Sequence, residues 1–283
     1  MKSLISLVSI VLLTTLGCGD EYYGTNNNAN RGPYPVESEP SLSPDNKYIY
    51  YVSDDTASNG YGGIYRAAVA DPVRERILAG SNLHSPVMGS DNETLAYLDK
   101  GKINYFVLPG SVSPLSGISD SFESIMFLDE SIIIGQRHDS LFAVDEFHGT
   151  STFALSGWDP TSVAKDTFVC IVQDTGKIYY IVELNKYNVS PDTLFTLKTN
   201  ARPRWPSFHR KSGRLAFGLE FTDQRFIYSA EAFKDSSHFI DSTDFIKPYI
   251  LNFDCIIFTG PDGRFYRSDF NGTKSVPFIH IEG

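Results

Sequence analysis

One small β unit recurs along this chain. Its clearest copy is Pro40–Val52, which reads P-S-L-S-P-D-N-K-Y-I-Y-Y-V. A turn at Ser43-Pro44-Asp45-Asn46 leads into an apolar, aromatic strand, and Gly63-Ile64-Tyr65 follows further on. Weaker copies continue to the C-terminus. Inner strands are predicted to begin near Pro40, Pro86, Ser124, Thr161, Pro206 and Pro248. Second strands begin near Tyr48, Leu95, Ile132, Phe168, Leu215 and Ile256, and third strands near Ile64, Ile103, Leu141, Ile178, Phe226 and Phe265. Successive third strands lie 39, 38, 37, 48 and 39 residues apart, a near-constant period that marks a repeat architecture.

Fourth strands are less regular: Arg76–Leu78, Ser151–Leu155, Thr193–Leu197, Phe239-Ile240 and Val276–Ile281. Four short strands every ~40 residues describe a β-propeller blade. The predicted fold is therefore all-β, a six-bladed β-propeller of four-stranded antiparallel blades over residues 40–283. One blade has two apolar faces and cannot bury them alone, whereas a ring of blades covers both. Helical periodicity is confined to a short stretch at Ser229–Asp235. The 13% aromatic content, against only 3 Met, agrees with strands, because aromatic side chains suit a pleated surface. In the second strand Tyr48-Ile49-Tyr50-Tyr51, alternate residues are expected to pack against the two neighbouring blades.

Residues 1–17 read as a signal peptide: Lys2, then a mostly apolar Leu4–Leu16, too short to span a bilayer. Thr15-Leu16-Gly17-Cys18 resembles a bacterial lipobox, which implies that Cys18 becomes the mature N-terminus and carries lipid. The usual Leu stands three residues before the Cys, where this chain has Thr15. Residues 18–39, with Asn26-Asn27-Asn28, Gly32, Pro33 and Pro35, read as a flexible tether of about 25 Å reach. The expectation is an exported, membrane-anchored lipoprotein facing the periplasm or the cell surface. The ring would close either through a strand near Tyr34–Val36 or by packing of the first blade on the last. Cys170 and Cys255 fall in apolar strands of different repeats, so no disulfide joins them and both read as small hydrophobes. A net charge of −10 repels phosphate backbones, so nucleic acid is not an expected partner.

Ser43-Pro44-Asp45-Asn46-Lys47 and its following strand resemble the S-P-D-G-K repeat of TolB-type β-propellers. In that repeat Asp accepts from the backbone two residues on and Gly or Asn tolerates positive φ. Gly89-Ser90-Asp91-Asn92 keeps Asp-Asn, His209–Arg214 keeps only Gly213, and the third and fourth copies lose the signature. The resemblance covers residues 40–283 and implies the fold rather than an activity. TolB also carries an α/β domain ahead of its propeller, for which residues 1–39 leave no room, so its role in envelope maintenance is not carried over.

Residues at the start of each inner strand are expected to line the channel mouth: Glu39, His84 or Ser85, Glu123, Asp159, Arg202 or Arg204, and Lys247. Trp158 and Trp205 stand beside them. This mixed-sign set suits a metal-dependent hydrolase or lactonase poorly, since such an enzyme converges several oxygen ligands on one cation. No metal site or cofactor is expected. There is no G-x-S-x-G, the six His show no i, i+2 or i, i+4 pairing, and Gly60-Tyr61-Gly62-Gly63 lies between strands, where no helix N-terminus can meet a phosphate. The preferred reading is a non-catalytic module that binds an envelope protein or peptide, helped by insertions at Asp54–Gly62 and Asn185–Asp192. The alternatives are a channel-mouth enzyme and a glycan-binding surface protein.

Overall fold

The computed structural model describes residues 35–279 except 55–61, 109, 115–119, 146–149, 175, 244, 253–254 and 274. The expected signal peptide, Cys18, the tether up to residue 34, Gly60-Tyr61 and most of the Asp54–Gly62 insertion lie outside the described residues, as do His148 and His280.

Six four-stranded antiparallel sheets, each contiguous in sequence, form a ring of blades. Blade one is β1 (Glu37–Leu42), β2 (Tyr48–Ser53), β3 (Gly63–Ala68) and β4 (Arg74–Ala79). Blade two is β5 (Leu83–Met88), β6 (Thr94–Asp99), β7 (Lys102–Val107) and β8 (Ser111–Pro114). Blade three is β9 (Ser124–Phe127), β10 (Ile132–Arg137), β11 (Ser140–Asp145) and β12 (Thr150–Ser156). Blade four is β13 (Trp158–Ala164), β14 (Thr167–Gln173), β15 (Ile178–Asn185) and β16 (Asn188–Lys198). Blade five is β17 (Arg202–His209), β18 (Arg214–Glu220), β19 (Arg225–Glu231) and β20 (Ser237–Ser242). Blade six is β21 (Phe245–Asn252), β22 (Cys255–Thr259), β23 (Phe265–Ser268) and β24 (Ser275–Pro277).

Every predicted inner, second and third strand coincides with an observed one. Four details differ. β1 begins at Glu37, so the last residues assigned to the tether belong to the propeller. β8 has no counterpart among the predicted strands; it ends in Pro114, which an outer edge tolerates because no neighbour needs its N–H. The helix-like Ser229–Asp235 starts inside β19, where Ser229 and Ala230 pair with Ala216 and Leu215. Asn185–Asp192 is no loop insertion. Asn185 pairs with Asn188, making it the tip of a long β15–β16 hairpin, and this hairpin stretches the fourth interval.

The inner turns follow from side-chain chemistry. Asn46 N–H donates to Ser43 O at 2.9 Å, with Asn46 in the left-handed region at φ 59°. Lys47 N–H donates to Asp45 Oδ1 at 3.2 Å. The second copy repeats this, with Asn92 N–H on Gly89 O at 3.0 Å and Asn92 at φ 57°. In the third, Asp129 Oδ1 accepts from Ser131 and Ile132 N–H at 2.7 and 2.8 Å, so the Asp function survives outside the motif.

The cores lie between blades. Ile49 and Tyr51 of β2 pack with Ile257 and Phe265 of blade six, while Tyr50 packs with Leu95 and Tyr97 of blade two. Tyr51 meets Phe265 edge-on, ring centroids 5.2 Å apart. Each such side chain contributes about 2 kcal/mol by leaving water. The other interfaces hold equivalent clusters, such as Val169, Ile171 and Ile181 against Leu215 and Phe217. Gly63, which opens the recurring G-I-Y strand, is glycine because Leu78 O occupies the place a Cβ would take. Cys170 is buried, Cys255 is half-buried, and no disulfide joins them.

Blade one closes directly on blade six. Glu37 N–H donates to Gly263 O at 2.7 Å, Thr259 Oγ1 donates to Glu37 O at 2.6 Å, and Phe265 N–H donates to Glu37 Oε2 at 3.0 Å. The Glu37 side chain is fully buried and its Oε1 has no partner. Burial pushes its carboxyl up from 4.5 to about 7, against the Phe265 hydrogen bond and the charges of Arg74 and Arg264. A carboxyl raised in the folded state gives its full stability below pH ~4.5 and loses about 3 kcal/mol as pH rises through about 7. Thermal unfolding should show that decline in the wild type. In Glu37→Gln the wild-type-minus-variant curve should carry the whole of it; a flat difference curve from pH 4.5 to 8 would remove Glu37 from this role.

Candidate functional site

Four inner strands carry a residue in left-handed backbone directly before a proline. They are Glu39 (φ 55°), Ser85 (φ 48°), Asp159 (φ 53°) and Trp205 (φ 45°), preceding Pro40, Pro86, Pro160 and Pro206. The ladder register slips at each of them. In blade six a slip also spans Lys247-Pro248. Left-handed backbone costs a non-glycine residue about 1–3 kcal/mol, so the surroundings must hold it.

Hydrogen bonds between blades do so. Glu39 Oε2 accepts from Ser85 N–H of blade two, and Glu39 Oε1 meets His84 Nδ1 at 3.2 Å. Gln136 Oε1 of blade three accepts from Asp159 N–H at 2.7 Å. Asp159 Oδ2 accepts from Trp205 N–H at 3.0 Å and from Arg204 Nε at 2.6 Å. Ser207 Oγ of blade five accepts from Ile250 N–H of blade six at 3.0 Å. Between blades two and three Phe122 N–H donates to Gly101 O at 2.8 Å and Lys102 Nζ donates to Asp120 O at 3.2 Å. At Ser85, Asp159 and Trp205 the strained residue is thereby a donor to the preceding blade.

Glu39, His84, Asp159, Arg204, Trp205 and Lys247 come together at one end of the inner strands. Burial works against the Glu39 carboxylate, but the His84 hydrogen bond, the Lys247 charge and the Ser85 N–H hold it below the ordinary range. The same bond raises His84. Asp159 is pushed up by burial and pulled back by Arg204, whose NH1 also reaches Glu220 Oε2 at 3.2 Å. Burial lowers the Lys247 ammonium, with the charges of Glu39 and Asp159 opposing. Its Nζ lies 4.5 Å from the Trp205 ring centre, a cation–π contact.

Glu123 is set apart. It is exposed and pairs with His138 at 3.0 Å; Gln136 links it to the group, Glu123 N–H donating to Gln136 O at 2.8 Å and Gln136 Nε2 to Glu123 Oε2 at 3.5 Å. Trp158, placed at the channel by its sequence position, is 4% exposed within the cluster between blades four and five. Its Nε1 donates to Pro203 O at 3.0 Å, and Arg202 covers its ring. The signal that could have revealed the bends is the X-Pro step in five of the six inner strands. Gln136 and Glu37 stand in no motif.

A central cavity of about 340 Å³ runs along the inner strands, lined among others by Leu42, Val87, Ile125, Thr161, Lys247 and Tyr249. Among the described residues no group of three or more His, Cys, Asp or Glu is placed to hold a metal ion.

The architecture is that of a six-bladed β-propeller, and several solved structures are similar to it. TolB from Acinetobacter baumannii superposes with a TM-score of 0.54 at 16% identity, covering 70% of this chain and 52% of that one. The present chain thus spans about half the length of that TolB. An oligogalacturonate lyase in complex with manganese gives 0.54 at 13% identity, covering 85% and 76%. A chain of a nidogen/laminin complex gives 0.57 at 9% identity, covering 87% and 93%. Identities this low establish the fold and nothing further. No protein-family profile and no curated protein matches the sequence.

Asp159→Ala removes a buried partner from Arg204 and orphans Trp205 N–H. It should cost about 3 kcal/mol or more in denaturant unfolding. Asp159→Asn, which still offers an acceptor to Trp205, should cost less. Equal losses would mean that the N–H acceptor is not what matters.

Proposed function

We propose that this chain is an exported, lipid-anchored β-propeller that serves as a non-catalytic protein-binding module at the cell envelope. The observation that carries the reading is the commitment of Glu39 and Asp159. Both carboxylates are engaged in holding blades together, which leaves recognition to the rest of the surface. Lys2, the apolar Leu4–Leu16 and Cys18 support export and anchoring. A rigid disc with loops on two faces supports binding.

An aromatic series on blade five favours a protein partner over a glycan. Phe226 packs edge-on against both Phe221 and Phe239 at 5.8 Å, and Phe221 and Phe239 are 41% and 49% exposed. Phenylalanine offers apolar area without the hydroxyls or N–H groups that a sugar would engage.

Crosslinking in native envelopes with the lipidated protein tests this. A specific protein adduct is expected, lost in Phe221→Ala/Phe239→Ala while the thermal midpoint stays within a few degrees of wild type. Cys18→Ser should abolish incorporation of a palmitate analogue. An adduct indifferent to both Phe changes, or metal-dependent hydrolysis of lactones by the pure protein, would overturn the reading.

A further inference from the structure

Of the X-Pro positions on the inner strands, Glu39 and Asp159 bridge blades through their side chains. At the position that carries Glu39 in blade one and Asp159 in blade four, blade five has Trp205 and blade six has Lys247. Neither side chain bridges blades through a hydrogen bond; instead they face each other. Lys247 is 7% exposed and lines the central cavity. Among the described residues its ammonium has no ion pair and no hydrogen-bond acceptor, only the Trp205 ring. The nearby carboxylates are already used, Glu39 by His84 and Ser85 N–H and Asp159 by Arg204 and Trp205 N–H. A lysine so little exposed, its ammonium turned to the cavity with no anion at contact distance, is poised to receive one.

The rest of the cavity wall says what kind of anion that would be. Leu42, Val87 and Ile125 are apolar and Thr161 and Tyr249 add hydroxyls, while Asp129, Glu130 and Lys165 also line the wall, Glu130 paired with Lys165 and Asp129 with Lys186. The cavity volume of about 340 Å³ lies at the small end of ligand sites, which span about 300–1,000 Å³. We propose that the central cavity binds a small apolar monocarboxylate, its carboxylate on Lys247 and its hydrocarbon part against Leu42, Val87 and Ile125. The site is independent of any partner held on blade five.

The test uses the purified full chain, titrated with sodium benzoate and sodium hexanoate at constant ionic strength, with benzamide as the uncharged control. Trp205 is a built-in reporter, because the chain's other tryptophan, Trp158, is 4% exposed in an interblade cluster. Saturable changes in tryptophan emission and matching calorimetric heats are expected for a carboxylate. Benzamide and Lys247→Met should each bind about tenfold more weakly or worse, the loss of one charge-assisted hydrogen bond, and Lys247→Arg should keep most of the affinity. Should Lys247→Met not fold, the wild type still decides. Bound benzoate should slow acetylation of Lys247 by acetic anhydride, followed by peptide mass spectrometry, while exposed lysines away from the cavity such as Lys211 react as before. Failure of both carboxylates to saturate, equal affinity for benzamide, undiminished binding by Lys247→Met, or an unchanged Lys247 acetylation rate would each overturn the proposal.

Discussion

A four-stranded sheet whose second strand is buried on both faces cannot end in a simple two-layer packing. Tyr50 and Tyr51 are adjacent in β2, point to opposite faces, and are 2% and 0% exposed. Both faces must be covered by protein, and a blade of the same kind on each side does this only if the series closes. The six interblade clusters make the ring the smallest arrangement in which no blade face meets water. Closure needs no exchanged strand, because every sheet is contiguous in sequence. Phe265 and Ile257 against Tyr51 and Ile49, with Glu37 bonded across the join, complete it.

Covering faces does not by itself fix how the inner strands pass the crowded axis. Here the backbone bends. A left-handed residue before proline turns each affected strand and releases an N–H from its own ladder. An unpaired buried N–H is expensive, and the acceptor comes from the neighbouring blade: Glu39, Asp159, Gln136 or Ser207. The strained conformation and the bridge between blades are thus one device. It recurs with different side chains because what the neighbour must supply is an oxygen, not a particular residue. That tolerance also explains how the copies diverged so far while the ring persisted.

The same tolerance sets what was legible in the sequence. Strand rhythm was readable because alternation and period depend on hydrophobicity alone, which each repeat keeps. β8 was lost because Ser111–Pro114 is short and polar at an outer edge, where nothing demands an apolar pattern. Asn185–Asp192 looked like a loop because Asn, Pro and Asp are turn residues; the pairing of Asn185 with Asn188 is imposed by the strands that flank it. At the channel, register alone placed Glu39, Asp159, Arg204, Trp205 and Lys247 near one another. It could not show that two of the acids serve the neighbouring blade, since the partner N–H groups lie about 45 residues away and carry no sequence signature. Trp158 shows the limit of position. It begins an inner strand as Arg202 and Glu37 do, yet its size and its N–H are met by Pro203 O and by the cluster between blades.

A ring built this way constrains where function can reside. Positions that receive or supply an interblade oxygen cannot change freely, because each loss exposes a donor in the adjacent blade as well as an acceptor in its own. Chemistry is free to vary only where that obligation lapses. Lys247 occupies such a place, and so does the side chain of Trp205, whose backbone N–H alone meets the interblade oxygen of Asp159. In a molecule of net charge −10 there is no shortage of carboxylates with which to pair a lysine. An ammonium kept buried beside an aromatic ring, with both nearby acids turned to other donors, is a local inconsistency that stability does not explain. Inconsistencies of that kind concentrate at sites selected for binding, and this one opens onto a cavity wall where apolar side chains and hydroxyls stand near the lysine.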